Sequence, residues 1–166
     1  MKLRRIKNEE NKIFCLIKFQ EKFKMIAVIR ISGMVEIPKE VQETLFRMRL
    51  RKKFALVLLS DKPENLGMLK LVRNFVAFGK INKETLVELI KKRGKTIENK
   101  KIKIDAEKIA SELLESKTEK KLSDFGLKLF IGLHPPRGGI DSKIHYPKGV
   151  LGDNQDKIND LIRRML

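Results

Sequence analysis

The 166-residue chain has no tryptophan, one tyrosine and one cysteine, and only 6% of its residues are aromatic. The single thiol, Cys15, can close no disulfide within the chain and supplies no tetrahedral cysteine site for zinc. With so few rings, the core has to be built from aliphatic side chains. Long apolar runs are also missing. The longest, Phe54 to Leu59, spans six residues, against about 20 for a membrane-crossing helix. The apolar stretch at 13–17 is too short for a secretion leader, and no small-residue cleavage site follows it. Met1-Lys2 offers no N-myristoylation signal and the final Arg-Met-Leu is no prenylation box. A cytoplasmic protein without a membrane partner is expected. The GxxxxGK[ST] phosphate loop is absent, and no Ser-His-Asp or Cys-His pair has supporting context. Neither catalytic machinery nor a cofactor is expected.

What the chain does have is positive charge. It carries 38 Lys and Arg against 21 Asp and Glu, a formal net charge of +17. Charged residues make up 36%, where an ordinary soluble domain has about 25%. Residues 1–24 hold net +5, residues 25–82 net +6 and residues 83–166 net +6. The basicity therefore belongs to the folded body as well as to a tail, and implies a polyanionic partner, nucleic acid before membrane.

Periodicity divides the chain. Residues 26–31 (IAVIRI) read as a strand, with Ala27, Ile29 and Ile31 on one face and Ile26, Val28 and Arg30 on the other. Pro38 opens a helix with Val41, Leu45 and Met48 inward. Residues 54–59 read as a second strand. Pro63 starts a second helix with Leu66, Leu69 and Val72 as its stripe. Residues 75–81 form a third strand. Asn82 is placed to cap a helix over 83–93, with Leu86, Leu89 and Ile90 inward, and Gly94 to end it in the left-handed conformation. Residues 95–103 read as a basic linker. Asp105 caps a further helix carrying Ile109, Leu113 and Leu114. Residues 127–133 are extended and 134–152 irregular. Asp153 caps a last helix with Ile158, Leu161, Ile162 and Met165 inward. Ahead of all this, a helix from about Glu9 to Phe23 is expected within residues 1–24.

The densest cationic cluster is Arg47, Arg49, Arg51, Lys52 and Lys53. Arg47 and Arg51 are four apart, a spacing that puts both on one helix face. Guanidinium groups suit phosphate because they donate two parallel hydrogen bonds. Lys70 and Arg73 on the second helix, and Arg30 on the first strand, extend the same basic surface. Gly67 costs a helix interior about 1 kcal/mol relative to alanine, so either something approaches closely there or the residue lies in the first turn. His134-Pro135-Pro136-Arg137-Gly138-Gly139 combines two stiffening prolines with two permissive glycines. It either presents Arg137 to a phosphate or makes a purely structural turn. His134, Asp141 and His145 are the sparse set from which a metal site could be drawn; no metal is expected.

Several stretches are specific enough to carry a resemblance. They are IAVIRISG at 26–33, TLFRMRLRKKF at 44–54, LGMLKLVRNFVAFGKIN at 66–82, FIGLHPPRGGI at 130–140 and KGVLGDNQDKINDLIRRML at 148–166. Together they resemble the large-subunit ribosomal protein family L-thirty in its long archaeal form, related to the eukaryotic L-seven protein. The resemblance implies an α+β fold: a small antiparallel β-α-β-α-β core at 25–82 with its helices on one face, ferredoxin-like, and a mainly helical C-terminal subdomain at 83–166. Chains of the family begin close to Met25, so residues 1–24 are expected to be a basic extension dispensable for folding. The resemblance also implies a non-enzymatic constituent of the large ribosomal subunit. It would bind rRNA near the 5S rRNA, lie against other large-subunit proteins and stabilise folding and assembly. RNA contacts would fall on Arg47, Arg49, Arg51, Lys52, Lys53, Lys70, Arg73 and Arg137, and Arg30 is counted with them. The runner-up is a transient RNA-processing or assembly factor of the same fold. A nuclease using Asp141, His134 and His145, and a DNA-compacting protein, are the readings from other classes.

Overall fold

β-Branched residues alternate with a turn signal and then with helical spacing three times over, and each alternation becomes a strand or a helix in the computed structural model. It describes residues 25–97, 105–115, 122–140 and 142–166. Strand β1 is Met25–Arg30, helix α1 Lys39–Arg47, β2 Ala55–Ser60, α2 Pro63–Val72 and β3 Val76–Lys80. β1 lies between β2 and β3 and is antiparallel to both. Ile26 and Val28 face α1 and α2, packing with Val41, Leu45, Leu69 and Val72. Both helices thus sit on one face, and the α+β, ferredoxin-like reading holds for this part of the chain.

The rest of the chain covers the other face and both edges. Helices α3 (Lys83–Arg93), α4 (Ala106–Glu115) and α5 (Ile158–Met165) bury Leu86, Leu89, Ile90, Ile109, Leu161 and Ile162 against Ala27, Ile29, Leu56 and Ala77. β4 (Phe130–Gly132) adds antiparallel to β2, and β5 (Gly152–Asp153) adds parallel to β3. The sheet order is β4-β2-β1-β3-β5. Short outer strands of this kind blunt the edges that invite unwanted pairing.

The closest approach is at Gly79. A Cβ there would collide with the Gln155 carbonyl oxygen and reach 3.0 Å from Ile158 Cγ2. Asn154 N–H donates to Phe78 O beside it, at 2.8 Å. Gly79→Ala is expected to cost about 1–3 kcal/mol, as overpacking a tight contact does. Thermal unfolding checks this; an unchanged melting temperature would show that the 155–158 turn yields freely.

Four local expectations are corrected. Leu66 is 37% exposed. The inward stripe of α2 is Asn65, Met68, Leu69 and Val72, and Asn65 Nδ2 donates to Ser60 O at 2.8 Å. Asn82 makes no side-chain cap; instead its own N–H is taken by Asn159 Oδ1 of α5 at 2.9 Å. Gly94 is extended, with φ −57° and ψ 135°, rather than left-handed. Asp153 lies in β5, and its Oδ1 accepts from Gln155 N–H, opening a short 3₁₀ turn before α5.

The helix expected within residues 1–24, and most of the linker at 95–103, lie outside the described residues. Met25 already pairs with Ser60, and its carbonyl accepts from Ile81 N–H. A chain starting at Met25 is therefore expected to unfold cooperatively within a few degrees of the full chain. Aggregation or a lost sheet signal in circular dichroism would contradict this.

Candidate nucleic-acid interface

The interface grows from the way α1 stops. Arg49 N–H donates to Phe46 O at 2.9 Å and Leu50 N–H to Leu45 O at 2.8 Å. Arg49 is left-handed, with φ 61°. This paired closure, with an apolar residue beyond it, is a Schellman ending, and Leu50 is fully buried just past it. The helix therefore ends at Arg47, and Arg51 is not on the same helix face, as its spacing had suggested. Arg49, Arg51, Lys52 and Lys53 project instead from the turn between α1 and β2, all exposed.

Arg30 holds that turn in place. It is 0% exposed, which corrects its assignment to the basic surface. Its five N–H donors are all used. Nη1 reaches Leu50 O at 2.7 Å and Arg51 O at 3.2 Å. Nε donates to Ser32 O at 3.0 Å, and Nη2 to Gly33 O at 2.7 Å and to the Met34 sulfur. Its own carbonyl accepts from Phe54 N–H at 2.8 Å. Burial pulls the guanidinium below its ordinary pKa, yet arginine remains a cation at neutral pH. With backbone carbonyls around it and, among the described residues, no carboxylate bonded to it, this buried charge is solvated by dipoles from the segment after β1 and from the α1–β2 turn. Arg30 is a scaffold for the cationic residues and not one of the exposed set.

Arg47, Arg49, Arg51, Lys52 and Lys53 converge on one open cleft of about 770 Å³ between α1 and β4. Arg51 lies over the Phe46 ring, 5.8 Å from its centre, and Lys53 over Phe54 at 4.8 Å. Among the described residues none of the five is ion-paired. The opposite, α3–α5 face differs. There Lys91 meets Glu107 at 2.9 Å, Lys92 meets Glu88 at 2.6 Å and Arg163 meets Glu84 at 3.3 Å. Hydrogen bonds from Lys92 and Lys91 pull Glu88 and Glu107 below the usual carboxylate pKa. The charge of the five cleft cations is thus left free for a partner, whereas that of Lys91, Lys92 and Arg163 is matched by carboxylates.

Lys70, Arg73 and Arg137 are exposed but do not line the cleft. Arg137 sits on a turn fixed by Arg164, whose Nε donates to Arg137 O at 3.1 Å and whose Nη2 donates to Gly139 O at 2.8 Å. Gly138 and Gly139 have φ of 79° and 75°, the left-handed region that favours glycine. Gly67 has open space around it, so among the described residues no other backbone approaches it. Among the described residues no cluster of His, Cys, Asp and Glu could hold a metal. His145 Nε2 is instead 3.0 Å from Asn74 Oδ1, and Asp141 lies outside the described residues. Sequence reasoning passed over two exposed rings in the cleft, Phe46 and Phe130. The readable signal for Phe46 was its place one step off the Val41–Leu45–Met48 stripe.

Left-handed backbone costs a non-glycine residue about 1 kcal/mol or more. Arg49→Gly is therefore expected to raise stability by about 0.5–1 kcal/mol while weakening binding to a polyanion. Melting temperature and affinity measured on the same preparation check this; both moving in the same direction would contradict it.

Residues 26–76 match the family described as Ribosomal protein L30p/L7e. The chain is 39% identical over 153 residues to the large ribosomal subunit protein uL30 of Archaeoglobus fulgidus, covering 85% of this chain and 99% of that one. With uL30 of Desulfurococcus amylolyticus the identity is 40% over 161 residues, covering 86% and 99%. With uL30 of Methanococcus maripaludis it is 36% over 151 residues, covering 84% and 98%. These relatives define a protein of the large ribosomal subunit. Within that class, the chain belongs to the L30p/L7e family.

Proposed function

We propose that the chain binds large-subunit rRNA through Arg47 at the end of α1 and the four cations of the α1–β2 turn, none of them ion-paired among the described residues, and stabilises the folding and assembly of the subunit. The observation that carries this reading is the contrast in charge pairing. Lys91, Lys92 and Arg163 on the α3–α5 face are paired with carboxylates, while among the described residues those around the cleft have none and are left for a partner. Lys and Arg side chains that meet phosphates release condensed counterions, which favours binding and makes it salt-dependent. Folded RNA is met largely through its shape and backbone, and a rigid sheet with a tethered turn suits that task. Lys70, Arg73 and Arg137 extend the contact to neighbouring rRNA segments. The family resemblance suggests a position near the 5S rRNA and against other large-subunit proteins.

Sedimentation tests the reading. In moderate salt the protein is expected to remain with mature large subunits. Release from mature particles, with retention on precursors, would favour a transient assembly or processing factor instead.

A further inference from the structure

We infer that the cleft beside α1 receives an unpaired nucleobase extruded from the rRNA, and is not only a landing surface for duplex phosphates. This rests on the rRNA-binding reading above and deepens it.

The strand register shows how the cleft is made. Phe130 pairs with Val57, and Gly132 with Ala55. Directly opposed residues point to the same side of a sheet, and Val57 and Ala55 both pack on the α1–α2 side. Phe130 therefore stands on that side, at the edge strand, beyond the cover of α1. It is 44% exposed, and Phe46 of α1 is 38% exposed. Between them the floor is built from small residues. Gly132 has nothing within 4 Å of where a Cβ would lie, and Ala55 contributes a single methyl group. Internal packing therefore does not require a glycine at 132, and any side chain there would project into the cleft.

The chemistry of this space selects its occupant. Its volume of about 770 Å³ falls within the ~300–1,000 Å³ of pockets that hold small ligands. Two partly exposed rings among five cations are poorly used by a duplex, which presents phosphates and stacked, inaccessible base faces. An unpaired nucleotide uses both: its base stacks on an aromatic face, and its flanking phosphates meet the cations. Arg51 lies over the Phe46 ring, so its guanidinium group is itself a surface on which a base can stack.

Deproteinised large-subunit rRNA of the source organism is the probe, with affinity measured over a range of salt. The F46L/F130L double variant keeps apolar bulk but loses both π-faces. It is expected to bind at least about five-fold more weakly, the lower end for loss of one stacked base, with its salt slope unchanged. F46Y/F130Y is expected to bind within two-fold of the parent. Gly132→Val, which fills the floor without backbone strain, is expected to weaken binding without lowering the melting temperature. Parental affinity in the leucine pair would overturn the inference. So would an equal loss in the tyrosine pair, or poor incorporation into subunits with rRNA affinity intact, which would assign the cleft to a protein neighbour. If neutralising the cations weakens binding while the leucine pair does not, only the base pocket fails. If the parent protein does not bind rRNA at all, the proposed function fails with it.

Discussion

Replacing Arg30 with alanine is expected to lower stability by about 3–5 kcal/mol. The Leu50, Arg51, Ser32 and Gly33 carbonyls lose their donor, and each buried acceptor left unpaired costs about 1–3 kcal/mol where water cannot replace the bond. A cavity in a close-packed site adds to the loss. At ~2–4 °C per kcal/mol for a chain of this size, the melting temperature should fall by roughly 6–20 °C. Arg30→Lys should recover only part of this. One ammonium nitrogen cannot reach carbonyls at both 32–33 and 50–51, whereas the guanidinium fork does. The fraction that stays folded should also bind rRNA more weakly, because the turn carrying Arg49, Arg51, Lys52 and Lys53 has lost its anchor. Thermal unfolding of both variants checks this. A shift of less than 2 °C for the alanine variant would show that the carbonyls find other donors.

Neutralising Arg47, Arg51 and Lys52 together, each to glutamine, is expected to reduce rRNA affinity by roughly two orders of magnitude near physiological salt. Each phosphate contact contributes about 0.7–0.9 to the log–log salt slope. Removing three should flatten the slope by about two units. Stability should be nearly unaffected, since all three side chains are exposed and none is ion-paired among the described residues. Filter binding across a salt series checks this. An unchanged slope with weakened binding would mean that these side chains act by shape and not as phosphate contacts.

How far these features could be read from the sequence depended on whether their causes were local. The alternation in residues 26–31 assigned each side chain of β1 to its correct face, because strand period is a local property. It placed Arg30 beside Ile26 and Val28 but could not show that carbonyls twenty residues away return to enclose it. The end of α1 was hidden for a related reason. Left-handed closure ordinarily announces itself with glycine, and Arg49 occupies that position instead. Leu66 was misplaced because its spacing from Leu69 fits a stripe as well as that of Asn65 does; the bond from Asn65 to Ser60 decides between them. β4 and β5 are three and two residues long, too short for any period to show. The cationic cluster was legible as a run in the chain, whereas its cleft depends on β4 joining β2 from some seventy-five residues away.

Ultraviolet cross-linking of intact large subunits, read out as nucleotide-bearing peptides, tests the central claim most directly. The account predicts adducts on the segment from Phe46 to Phe54 and on Phe130. Adducts confined to the α3–α5 face, with the 46–54 segment unmodified, would contradict it.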